Sequence, residues 1–284
     1  MRTNHGYAGA REFEAEGREP LGERRLAAMS IVAGPRETTL GQIIDTDAAR
    51  DFMTEALRKI DEDDLVAIVR EAEGKHRAFA AFLAPERLAA GLSAEDVRRL
   101  LRSVFATRRH AAEILADPEA APRLATALPE LLDHGRPIRE RFDGFCAAAA
   151  LAQPFWATDL ASECLHFTRP EHHWLWTRWM WDPIAGTGAL PLVTTEGYRF
   201  EGTSPGDTYL HVGEAVSFVG ATVEAAGLTQ RARGPFGVDV FLVSVYAVYL
   251  YTVLRMRMTQ EFNRVVPGLP DLSRRLLGLR TVEV

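Results

Sequence analysis

The sequence predicts a mainly α-helical fold, a multi-helix globular bundle with a short irregular or hairpin insert around residues 184–205. Three observations carry that expectation. From Asp47 onward, apolar residues recur at the three- and four-residue spacing of a single helix face. Acidic residues, serine and proline stand at the starts of those runs, where helix-capping chemistry places them. The glycines and threonines that favour loops or a hairpin (Gly186, Gly188, Pro191-Leu-Val-Thr-Thr195, Gly197, Gly202) gather in one stretch.

The elements follow in order. Residues 1–36 are rich in Gly, Arg and Glu and read as a disordered tail that cannot bury enough surface to offset its ordering entropy. Residues 37–284 read as a single helical domain, with a point of subdivision near 118–135. Asp47 caps a helix to Ile60 whose Phe52, Ala56 and Ile60 share a face. Leu65 to Ala84 repeats the pattern and stops before Pro85. Ser93-Ala-Glu-Asp96 is a capping box opening a helix through Val97, Leu100, Leu101 and Val104. Pro118 and Pro122 mark a turn before a helix from Leu124 to Leu132, which Pro129 should kink or restart. Pro137 suits the first turn of a helix through Ile138, Phe142 and Phe145, and Pro154 that of one ending before Pro170. Glu171 to Trp181 is expected to be a further short helix, stopped by Pro183. Two long helices follow the insert, Asp207–Ala226 and Val238–Phe262, then a last one at Leu272–Leu277. The second long helix is apolar on every face, so it should be the most buried element.

Bulk properties narrow the function. A net charge of −6 argues against non-specific nucleic-acid binding as the main task, leaving it open but not favoured. Two cysteines eighteen residues apart, Cys146 and Cys164, are no disulfide framework and point to a cytoplasmic protein. No secretory apolar segment opens the sequence, and the fifteen uncharged residues Val240–Leu254 are too short for a comfortable membrane span. No Gly-x-Ser-x-Gly elbow and no phosphate-binding loop occur.

Function is sought where the chemistry concentrates. All five tryptophans lie between Trp156 and Trp181, four of them in Trp174-Leu-Trp176-Thr-Arg178-Trp179-Met-Trp181-Asp182. Three histidines, His166, His172 and His173, and Cys164 stand just upstream. Tryptophan needs a shaped cavity and a partner for its N–H, so the segment is either core or an aromatic-lined site. His166, His172, His173, Trp174, Trp176, Arg178 and Asp182 are the candidate ligand-binding residues, lining a cavity with a few convergent polar groups. Cys164-Leu-His166 offers metal-ligand types, but on a helix two positions apart point about 200° from each other. Glu73-x-x-His76 and Glu163-x-x-His166 have the spacing of di-iron bundles without the further glutamates such a site needs. No metal is assigned, and no cofactor is indicated.

One family resemblance spans residues 131 to about 182. Leu131-Leu-Asp133-His-Gly-Arg-Pro137-Ile-Arg-Glu140-Arg141-Phe142-Asp143-Gly-Phe145 precedes Asp159-Leu-Ala-Ser162-Glu-Cys-Leu165-His166-Phe167-Thr-Arg-Pro170-Glu171 and a Trp-bearing segment. This resembles the half-domain of helix-hairpin-helix proteins of the DNA glycosylase superfamily. The resemblance implies a helical scaffold that approaches nucleic acid through a Gly-hydrophobic-Gly hairpin. Here that place reads Ala152-Gln-Pro154-Phe-Trp156, without glycine. The lysine of lyase-type glycosylases is missing. Thr177 stands where the catalytic acid would fall, and Asp182 is displaced by five. The resemblance therefore implies a retained scaffold with lost catalysis.

The leading expectation is a cytoplasmic helical accessory or binding protein, not an enzyme on its own, with a small-molecule or protein partner at the aromatic–histidine segment. A base-processing or nucleic-acid-binding protein and a metal-dependent enzyme using the His/Cys/Glu cluster are the alternatives.

Overall fold

The computed structural model describes residues 44–225, 234–257 and 267–284. The predicted 1–36 tail and the last residues of the predicted Val238–Phe262 helix lie outside them. The described residues form twelve helices: α1 (Thr46–Leu57), α2 (Glu62–Phe82), α3 (Pro85–Ala90), α4 (Ala94–Ser103), α5 (Ala111–Ile114), α6 (Ala120–Leu132), α7 (Ile138–Ala149), α8 (Pro154–Thr168), α9 (Leu190–Val193), α10 (Pro205–Ala225), α11 (Gly237–Arg257) and α12 (Leu269–Leu276). Among these residues no sheet forms; two isolated antiparallel bridges join Ile44 to Thr194 and Asp182 to Thr187. The fold is mainly α, as the spacing of apolar residues predicts.

Capping chemistry sets the boundaries. Ser93 and Asp96 form the reciprocal capping box of α4. Asp61 caps α2 through the N–H of Asp64, and Asp45 rather than Asp47 caps α1. Pro122 lies in the first turn of α6, where no intrahelical N–H is required, and α6 runs on through Pro129 rather than restarting there.

Helix α8 lies at the centre, packed against α2, α6 and α7. Every residue from Asp159 to Phe167 is buried. This corrects the expectation that the long apolar C-terminal helix would be the most buried. Helix α11 is buried through Val245, Ala247 and Val248, but Tyr249, Leu250, Tyr251, Thr252 and Val253 are only half-buried. Tyrosines keep a polar tip toward water while their rings pack, so an apolar count overstates the burial of that half.

The segment Glu171–Trp181 is not the helix its composition predicts. After Thr168 the chain runs irregularly across α8, turns at Thr177–Trp181, and closes a tight turn by the Asp182–Thr187 bridge. Its backbone groups are taken by side chains of neighbouring helices. Ser162 Oγ of α8 accepts the Trp176 N–H at 2.6 Å, Tyr209 of α10 donates its hydroxyl to the Trp174 carbonyl at 2.9 Å, and His166 Nδ1 lies 2.8 Å from the His173 carbonyl. Buried backbone polar groups must find partners, and here tertiary partners replace the helical ones. Gly213 makes the crossing fit. A Cβ there would come within 2.3 Å of the Trp174 ring, so only glycine lets α10 approach it. In the insert, the expected hairpin reduces to the single bridge, followed by the helical turn α9 with Pro191 in its first turn.

Replacing Ser162 by Ala should therefore strand the buried Trp176 N–H and cost about 1–3 kcal/mol in urea unfolding. The same change at exposed His172 should be nearly silent. Equal stabilities for the two variants would contradict this account of the segment.

Candidate functional site

Charge in the centre of the molecule is organised on α8. Lys75 occupies a core position of α2, in step with Ile68, Ala72 and Phe79, and it is fully buried. Its ammonium forms an ion pair with Glu163 and donates to the Leu277 carbonyl at 3.1 Å. It also sits 4.2 Å from the centre of the Phe167 ring, whose negative face favours a cation. Glu163 accepts the Phe105 N–H with its other oxygen at 3.2 Å. Burial pulls the Lys75 pKa below its ordinary value, and attraction to Glu163 counters only part of that. One turn earlier on α8, burial pushes the Asp159 carboxyl well above the usual range, with the Glu163 charge adding to the effect.

A second buried pair lies one turn later. His166 Nε2 is 2.9 Å from an Asp239 oxygen near the start of α11, while Nδ1 faces the His173 carbonyl. Nε2 lies at ion-pair distance from Asp239 without hydrogen-bond alignment, and Nδ1 meets a carbonyl, a setting that suits the doubly protonated imidazolium. Burial opposes that charge, but attraction to Asp239 and the bond to the His173 carbonyl outweigh it and hold the His166 pKa above 6.5. His173 behaves oppositely. Burial, then Arg141 and the neighbouring histidines, push it down to about 3. Its Nε2 is buried without a hydrogen-bond partner, and its ring stacks on His134 at 5.7 Å.

Among the described residues, the seven predicted site residues differ in burial and do not share one face. His166, His173 and Trp176 are buried, Trp176 between Phe142 and Trp181, with its indole N–H donated to the Trp181 carbonyl. His172 and Arg178 are exposed, and Trp174 is half-buried with its indole N–H on Ser217. Asp182 is buried. Its Oδ2 accepts two N–H groups of Arg178, at 2.8 and 2.6 Å, while its Oδ1 accepts the N–H of Ile184. The physical reason is the lost helix: without it, these side chains do not share a face. Asp182 works as a turn former, and the arginine fork and backbone N–H groups outweigh burial to keep its pKa below 3.8. The structure brings together His166 and His173 through the imidazole–carbonyl contact, and Arg178 with Asp182. Sequence reasoning missed Lys75, Glu163 as a partner for it, Asp159 and Asp239.

Among the described residues, no three His, Cys, Asp or Glu side chains form a group able to hold a metal ion. Burial raises both cysteine thiols, Cys146 to about 12, so both stay protonated near neutrality. At the turn where the family resemblance places its hairpin, between α7 and α8, Ala150 adopts the left-handed conformation, φ 46°, and no glycine is present.

A cleft of about 680 Å³ opens instead on the insert, at the C-terminal end of the aromatic segment. Its apolar wall is a chain of rings: Trp181 lies 5.2 Å from Phe200, and Phe200 4.8 Å from Tyr198. Glu196, Glu201, Asp207, Arg199 and His211 also line it. Asp207 is held below the usual carboxylate range, first by the backbone N–H and then by the hydroxyl of Thr203. Comparison with protein-family models, with curated proteins and with solved structures gives no match to this chain.

The two histidines predict opposite pH limbs. His173 is depressed below its unfolded value near 6.5, so its contribution to stability is present above that pH and is lost as pH falls toward about 3. His166 is raised, so its contribution is full below 6.5 and is lost as pH rises through the folded value. In imidazole NMR titrations, His173 should stay neutral down to pH 5 while His166 stays charged above 6.5. A His173→Gln variant should lose less of its urea midpoint than the wild type on acidification from pH 7 to 4.5. A His173 resonance titrating near 6.5 would contradict the assignment.

Proposed function

We propose that this chain is a helical binding protein, an accessory rather than a catalyst, and that it holds a small aromatic amine in the cleft on the insert. The observation that carries the reading is the cleft's composition: the rings of Trp181, Phe200 and Tyr198 together with three carboxylates, Glu196, Glu201 and Asp207, against Arg199 and His211. Its volume of about 680 Å³ falls in the range of small-ligand sites. Flat rings stack on aromatic faces, and an amine gains from both the ring quadrupoles and the carboxylates.

The buried charges favour binding over catalysis. Lys75 is committed to Glu163 and Leu277, and neither nitrogen of His166 is left to abstract a proton. A cytoplasmic setting goes with this reading, since Cys146 and Cys164 are both free thiols. No described helix is long and apolar enough to cross a membrane.

Ligand-observed NMR with tryptamine, indole and indole-3-acetate on the full chain tests the charge and ring requirements together. Tryptamine should give the strongest saturation transfer, indole less and indole-3-acetate least. Glu196→Gln combined with Glu201→Gln should weaken tryptamine several-fold while leaving thermal stability near wild type, because both side chains are exposed. No transfer to tryptamine, or a preference for indole-3-acetate, would overturn the reading.

A further inference from the structure

We propose a second, independent site: an arginine basin that binds the phosphate or pyrophosphate group of a small ligand. Arg102, Arg108, Arg109, Arg275 and Arg280, with Asp271, line a depression of about 670 Å³ formed by the end of α4, the loop before α5, α12 and the C-terminal residues. It shares no residue with the insert cleft.

The charge there is unbalanced. Arg275 and Arg280 both turn to Asp271, and Arg102 pairs with Glu283. Among the described residues, Arg108 and Arg109 have no carboxylate within ion-pair distance. Arg108 lies over the Phe105 ring, 4.7 Å from its centre. Burial and then the like charges of Arg109 and Arg275 lower the Arg108 pKa, so these cations are held together against their mutual repulsion. Among the described residues, the five guanidinium groups around one depression share only two carboxylates, Asp271 and Glu283. A bound anion would relieve the repulsion, and guanidinium forks match phosphate oxygens two at a time.

The buried ion pair builds this basin. Glu163 holds the N–H of Phe105, fixing the loop that carries Arg108 and Arg109, and Lys75 holds the carbonyl of Leu277, fixing the approach to Arg280. Gly278 turns the chain at φ 66°, where a Cβ would come within 2.8 Å of the Lys75 ammonium. The C-terminal residues are fixed as well: Ser103 accepts the N–H of Glu283 at 2.8 Å, and Arg99 donates to its carbonyl. The cations thus stand on pre-set backbone rather than on loose loops, which lowers the entropic cost of binding.

The basin favours a compact ligand over a nucleic-acid strand. Asp271 lies among its arginines and Glu283 pairs with Arg102, so among the described residues the positive charge here is local rather than an extended stripe.

Isothermal titration of the full chain with inorganic pyrophosphate at low salt tests the proposal. We expect saturable one-to-one binding, weakened at least tenfold by Arg109→Glu and left within twofold by Arg50→Glu, a charge reversal at another exposed arginine, on α1. Both side chains are at the surface, so folding, checked by circular dichroism, should survive each change. Absence of saturable binding, or equal weakening by Arg50→Glu, would overturn the proposal. Tighter binding of a single-stranded oligonucleotide at several molecules of protein per strand would overturn it in favour of nucleic acid.

Discussion

An ammonium and a carboxylate buried side by side, Lys75 and Glu163, tie together parts of the chain that lie far apart in sequence. Taking two charges out of water costs several kcal/mol per ion, and their attraction repays this only when the remaining donors and acceptors are also satisfied. Here Lys75 also binds a carbonyl and faces an aromatic ring, and Glu163 also accepts a backbone N–H. Those extra bonds reach Leu277 and Phe105, so the pair connects α2, α8, the loop before α5 and the C-terminal turn. Each of these connections is long in sequence, and each is directional in a way that packing is not.

The same logic runs along the rest of α8. Asp159, Ser162, Glu163 and His166 all project into the interior, and Ser162 and His166 fix the crossing segment 173–176 by its backbone. The aromatic segment is then positioned core: Trp176 stacks between Phe142 and Trp181, and only its end, at Trp181, reaches the insert cleft. Helix α8, buried at every position from Asp159 to Phe167, thus carries the contacts that fix the aromatic segment and the loop before α5.

Much of the fold was legible because helix starts and stops are local chemistry. The Ser93–Asp96 box, the proline at the start of α8 and the breaks before Pro85 and Pro170 need only nearby residues. The failures share one cause. Glu171–Trp181 has helical spacing, yet its backbone is satisfied by Ser162, His166 and Tyr209, which composition cannot reveal. Lys75 did carry a signal, since it occupies an apolar position in the run Ile68, Ala72, Phe79 and is one of only two lysines. Its partner lies 88 residues away, so spacing alone could not supply it. Asp239 immediately precedes the uncharged run Val240–Leu254, and the start of α11 is itself buried against His166. The candidate binding residues do not share a helical face for the same reason: their segment is an irregular crossing.

A double-mutant cycle on the buried pair tests the central claim most directly. Urea unfolding of Lys75→Met, Glu163→Gln and the double variant at pH 7 gives three stabilities to set against wild type. Each single change should cost about 3–5 kcal/mol, because it leaves a buried charge without its partner. The double variant should lose well under the sum, with a coupling above about 1 kcal/mol. Single losses below about 1 kcal/mol that simply add would show that Lys75 and Glu163 do not hold these elements together.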